Sequence, residues 1–267
     1  MDCRQGTAPP LARMSYLYEV RSRFIVAAET SPYKQGELTE ARELLGGRVW
    51  EQDCVIYDRG YNDPRIIAWS LAQDAYFVIR VAVGKNRAAQ AFVRSKALEA
   101  DHDYHFGEDL IQEFKDYGSA LPKSCRLRFV RVELDTGEVE VLLTNLMDRK
   151  KYPAEEFKGL YHERWTVEEG IKTSKCKIEV ENWTGKTVHS IYQDFHARVL
   201  CQNMAAVLAA TAQPELDRRK AACKHRYKIN VKRETLLLLL CAITSLGWLR
   251  ARRRNGLRSW TWSGIGS

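Results

Sequence analysis

Residues 160–175 read LYHERWTVEEGIKTSK, and the side chains that carry chemistry in this stretch are Tyr161, Arg164, Glu168 and Lys175. The pattern around them, from Ala154 through Phe157, Leu160 and Ile171, predicts one long helix. At about 100° per residue the four fall within an arc of roughly 60°, so one face presents a phenol, a guanidinium, a carboxylate and an ammonium. Such a row suits a site where Glu168 grips a metal ion while Arg164 and Lys175 hold adjacent phosphates. With Glu163, Glu169 and Lys172 beside it, the row also suits a solvated salt-bridge face.

A second carboxylate is needed for two-metal phosphoryl chemistry, because one acidic group cannot hold two cations. Upstream, Cys54-Val55-Ile56-Tyr57 reads as a buried strand that stops at Asp58, and Arg59-Gly60 would turn its side chain outward. Taken alone, Asp58 reads more readily as a turn or cap residue, a role also open to Asp53 and Asp63. Asp63-Pro64 is an N-cap followed by a first helical residue and opens a helix through Gln73.

Around these landmarks the chain reads as a β-β-α-β-α-β frame. A hairpin is predicted over Ala12–Val20 and Phe24–Thr30, a helix over Gly36–Leu45, and a strand over Ala75–Val83. From Gly84 to Tyr152 the helical pattern lapses, and SCRLRFVRVEL and EVEVLLTNL, joined at Asp135-Thr136-Gly137, predict a β-rich insertion. A second apolar helix follows over Ser190–Ala210. The segments are therefore 1–83, the first part of an α/β core; 84–152, the insertion; 153–215, the rest of the core with the signature helix; and 216–267, a basic C-terminal segment.

The 267 residues are 45% hydrophobic, enough for a sizeable core, and carry 42 Lys and Arg against 34 Asp and Glu, a net charge of +8. Such a balance suits a polyanionic partner without proving one. The seven cysteines include no ligand-spaced pair and read as reduced thiols, and His162, His189 and His196 form no zinc site with them. The N-terminal residues lack the apolar stretch of a secretory signal, and no apolar run reaches membrane-spanning length, which points to a cytoplasmic protein without a membrane partner.

LYHERWTVEEGIKTSK matches at all four positions the Y-(2)-R-(3)-E-(6)-K signature of insertion-sequence DDE transposases of the IS-four family. VIYDRGYND resembles that family's second-aspartate motif, D-x-G-[FY]. SYLYEVRSRFIVAAETSPYKQGELTEARELL resembles the hairpin and helix before it. ENWTGKTVHSIYQDFHARVLCQNMAAVL and RYKINVKRET resemble the helix and closing basic segment after the signature.

The resemblance implies an RNase H-like fold: a mixed sheet flanked by helices, with a β-rich insertion between the aspartate and the glutamate. It implies Asp58 and Glu168 as metal-binding catalytic carboxylates, Mg2+ as cofactor with Mn2+ as a substitute, and Tyr161, Arg164 and Lys175 as phosphate contacts at the transposon end. Partners would be transposon-end DNA and target DNA, handled by a homodimer in a bacterial cytoplasm at the nucleoid. The family's first catalytic aspartate belongs to a strand ahead of the hairpin, where only Asp2 is acidic. The expectation is thus a chain that lacks the first core strand and the N-terminal DNA-recognition domain, with little or no cleavage on its own.

In the basic segment Arg218, Arg219, Lys232 and Arg233 suit DNA phosphates, and Trp260 and Trp262 suit base stacking or packing. Two other functions stay open. One is a DNA-binding or dimerising remnant that interferes with full-length transposase; the other is a magnesium nuclease unrelated to transposition, which has no need of the four-residue row.

Overall fold

A computed structural model describes residues 12–32, 36–46, 51, 53–176 and 187–222. Asp2, Lys232, Arg233, Trp260 and Trp262 lie outside the described residues, and of Arg219 only the backbone is described. The chain divides into two compact units, Met1–Val20 with Ile25–Gly170, and Arg21–Phe24 with Ile171–Ser267.

The hairpin forms as expected from β1 (Ala12–Glu19) and β2 (Phe24–Pro32), followed by α1 (Glu37–Leu45). Next come β3 (Cys54–Tyr57), α2 (Pro64–Ala72) and β4 (Tyr76–Arg80). Asp63 caps α2, its carboxylate accepting from the Arg65 N–H at 2.9 Å, and Pro64 stands where a missing N–H leaves no bond unmade. The short α2 crossover makes β3 and β4 parallel, with Tyr57 level with Ile79.

The segment from 84 to 152 departs from its helix-free expectation. It holds α3 (Arg87–Ser95) and α4 (Glu108–Asp116) beside β5 (Glu99–His105), β6 (Ser124–Glu133) and β7 (Val139–Thr144). Both helices are nine residues long and, unlike α2, neither opens on an Asp-Pro pair that marks its start. The strands extend the main sheet, whose order is β3-β4-β7-β6-β5, with β7 antiparallel to both β4 and β6. The result is an α/β, RNase H-like mixed sheet with helices on its faces. The hairpin is a separate two-stranded sheet, and among the described residues no strand bridges the two.

Alternation along the strands builds two cores. Phe77, Ile79, Leu127, Phe129, Val141 and Leu143 face one side and meet Ile66, Ile67, Phe92 and Phe114 from the helices. Val78, Val130, Val132 and Leu142 face the other and meet Phe157 and Tyr161.

The single helix predicted from Ala154 is instead a 3-10 turn at Ala154–Glu156, then α5 (Phe157–His162) and α6 (Arg164–Cys176). The break is a tight turn at Glu163, whose N–H donates to the Leu160 carbonyl at 3.3 Å in place of the α-helical partner one residue earlier. Gly170 in α6 lets β1 close against it: a Cβ there would stand 2.9 Å from the ring of Tyr18. The last helix, α7 (Val188–Ala222), overruns its predicted end and contains Pro214. Within this second unit the buried Ser174 hydroxyl donates to Gln202 of α7 at 2.6 Å. Among the described residues no helix is long and apolar enough to cross a membrane, and Cys54, Cys125 and Cys201 are free thiols.

Candidate active site

Asp58 ends β3 on the side of the sheet that faces α5 and α6. Its Oδ1 accepts the Arg59 N–H at 2.7 Å, so the carboxylate is an N-cap as well as a ligand candidate, and the side chain is 51% exposed. The turn role weighed for it is thus observed, and its second oxygen stays open to solvent. Tyr161 donates its hydroxyl to the same Oδ1 at 3.4 Å, across 103 residues of sequence.

Arg164 opens α6 and joins the two acidic groups. Its Nη1 donates to Glu168 Oε1 at 2.5 Å, one turn along the helix, while its Nε lies 4.0 Å from Asp58 Oδ1. The guanidinium is also 5.7 Å from the Tyr161 ring centre, within cation–π range. Its side chain is only 14% exposed, and its Nε is buried without a hydrogen-bond partner among the described residues. An orphan donor held this way is ready for an acceptor that the protein does not itself supply. Burial works to lower the Arg164 pKa, but the Glu168 and Asp58 carboxylates raise it on balance, so the cation is secured.

Four residues predicted from the signature therefore resolve as follows. Tyr161 and Arg164 reach Asp58, and Glu168 joins them through Arg164, even though a turn separates α5 from α6. Lys175 lies exposed in the last turn of α6 and belongs to the second unit. Arg218 is exposed on α7, its Nε donating to the Pro214 carbonyl at 3.4 Å.

The sequence reading missed Arg80 and Glu140. Arg80 follows Ile79 on β4 and so stands level with Asp58 on the neighbouring parallel strand. It pairs at 2.9 Å with the buried Glu140 of β7. The available signal was a lone arginine at the end of the apolar run AYFVIR; the parallel register that gives it meaning is not written in the pattern.

The Tyr161 phenol is pushed up to about 12, first by burial and then by the negative Asp58. Tyr57 and Tyr104 are also pushed up to about 12, each chiefly by burial. Because these folded values exceed the free value of about 10, the stabilisation they carry is present below pH 10 and disappears as pH rises through 12. The urea midpoint should therefore fall steeply between pH 10 and pH 12, and less so in Tyr161→Phe. Phenolate absorbance that rises near pH 10 for every tyrosine of the folded protein would refute this.

Residues 6–204 match the family model described as the transposase DDE domain. The chain belongs to the transposase DDE domain family. Over 199 residues it is 26% identical to transposase InsG of insertion sequence element IS4 from Escherichia coli (strain K12), covering 73% of this chain and 43% of that relative. It thus spans less than half the length of the curated relative it matches. The resemblance to IS-four transposases is borne out by both findings. The fold is also similar to that of a piggyBac transposase in a cryo-EM synaptic complex with hairpin DNA. The TM-score is 0.51 at 11% identity, over 97% of this chain and 51% of that one.

Proposed function

We propose that this chain carries the DNA-processing site of an insertion-sequence transposase, which cleaves transposon ends and joins them to target DNA. The observation that carries this reading is Arg164 spanning Glu168 and Asp58 beside Tyr161. It is supported by membership of the transposase DDE domain family.

The residues suit a divalent cation. Asp58 Oδ2 and Glu168 Oε2 are hard oxygen donors with no hydrogen bond among the described residues, on side chains 51% and 46% exposed. Mg2+ favours such a set, completed by water and phosphate oxygens. When bound, Mg2+, or Mn2+ in its place, supplies Lewis-acid stabilisation of charge on the phosphate.

The protein's own share is positional. Arg164 turns its unused Nε to a phosphate oxygen at the transposon end, and Tyr161 remains a neutral donor. Lys175, Arg218, Arg219, Lys232 and Arg233 supply further phosphate contacts in this reading. Water attacks the end phosphodiester and releases a 3′-hydroxyl; that hydroxyl then attacks a target phosphodiester, expelling a target 3′-oxygen. The assembly is a homodimer acting on DNA in the bacterial cytoplasm.

Among the described residues no group of three or more His, Cys, Asp or Glu could hold a metal ion. That observation favours a second reading, a DNA-binding or dimerising remnant that interferes with full-length transposase without cutting. Mn2+ titration followed by electron paramagnetic resonance, with nicking of a supercoiled plasmid carrying the element's ends, tests both. Mn2+ binding lost in Asp58→Ala and in Glu168→Ala supports the site, and nicks dependent on both residues support cleavage. Mn2+ binding that is unchanged in both variants overturns it.

A further inference from the structure

Beyond the C-terminal ends of the parallel strands β3 and β4 lies a cavity of about 670 Å3, lined by Asp58, Arg59, Gly60, Asn62, Ala82, Lys85 and Asn86. Crevices at the carboxyl ends of parallel strands are where open α/β sheets bind ligands. Its volume falls in the range of small-ligand sites, about 300–1,000 Å3, and so suits one nucleotide rather than a duplex.

The lining mixes polar and apolar surface, and its donors are unspent. Arg59 and Lys85 are exposed, and their side chains make no ion pair or hydrogen bond among the described residues. Asn86 uses its Oδ1 to cap α3, accepting from the Ala89 N–H at 3.0 Å, which leaves its amide N–H groups to point elsewhere. Asn62 has no side-chain partner among the described residues. Two cations and two amides beside apolar wall describe a ligand that is anionic, carries hydrogen-bonding edges and has a flat apolar face. Asp58 on the rim makes the cavity continuous with the carboxylate that faces Arg164.

We propose that this cavity is a subsite for the unpaired nucleotide next to the phosphate at Asp58, with Lys85 and Arg59 on its phosphate and Asn62 and Asn86 on the base edge. It rests on the transposase reading of Asp58. Base-edge contacts require an unstacked base, so the subsite discriminates single-stranded from paired DNA.

Fluorescence anisotropy with a labelled single-stranded oligonucleotide and with its duplex, without divalent metal, tests this on the whole chain. The double variant Arg59→Ala/Lys85→Ala should bind the single strand about tenfold more weakly at physiological salt, with a shallower salt dependence, since two phosphate contacts are lost. Duplex affinity should stay unchanged, Asn62→Ala should weaken the single strand alone, and Lys85→Arg should restore binding to Lys85→Ala. An unchanged single-strand affinity, or an equal loss on both DNAs, overturns the subsite. Failure of the transposase reading shows separately, as Mn2+ binding indifferent to Asp58 and Glu168, because the anisotropy contains no metal.

Discussion

Replacing Arg164 with alanine is expected to move metal affinity and DNA affinity in opposite directions. The guanidinium is the positive charge that Asp58 and Glu168 share, at 4.0 Å and 2.5 Å respectively. A divalent cation entering between these carboxylates competes with it. Removing it frees both groups, and because the carboxylates are half exposed the gain is modest, about 1 kcal/mol or roughly three- to tenfold tighter Mn2+ binding. Duplex DNA from the transposon end loses a charge-assisted bond to a phosphate, roughly 1.5–3 kcal/mol, or about 10- to 100-fold. Arg164→Lys keeps the charge without the fork and should fall between the two. If Mn2+ and DNA affinity weaken together, Arg164 serves to hold α6 in place, and its competition with the cation is refuted.

The largest loss of stability is expected from Arg128→Met. Arg128 is 0% exposed on β6. Its Nη1 donates to the carbonyls of Leu146 at 3.2 Å and Tyr152 at 2.8 Å, its Nη2 pairs with Glu99, and the guanidinium lies 5.2 Å from the Phe157 ring centre. It therefore ties both ends of the connection from β7 to α5. Methionine fills most of the volume but strands two carbonyls, so the loss should be about 3–5 kcal/mol. Glu99 keeps Arg149 at 2.6 Å, so Glu99→Gln should be milder. Lysine at 128 should recover only part, since one ammonium cannot span the same acceptors. A urea midpoint for Arg128→Met equal to that of the parent would remove Arg128 from this role.

Local signals carried much of the fold. The Asp63-Pro64 helix start, the apolar run into Asp58 and the turn at Asp135-Thr136-Gly137, where Gly137 takes φ +84°, are each decided within a few residues. The break at Glu163 was not legible, because neither proline nor glycine marks it. The same holds for Arg128: in SCRLRFVRVEL it looks like Arg126 and Arg131, and only the distant Leu146–Tyr152 connection makes it the buried one. The signature residues could be read from spacing on one helix, whereas the cavity with Lys85 and Asn62 arises from strands brought side by side, which spacing does not encode.

Asp58 and Tyr161 meet across 103 residues, and Gly170 of α6 lies close against Tyr18 of β1. A chain emerging from the ribosome thus exposes Asp58 long before the helix that completes its surroundings exists. Contacts this distant in sequence form late, after most of the loop-closure entropy has been overcome. Nascent chains and N-terminal fragments consequently carry Asp58 without Arg164 and Glu168, so the proposed site stays incomplete until synthesis has passed α6.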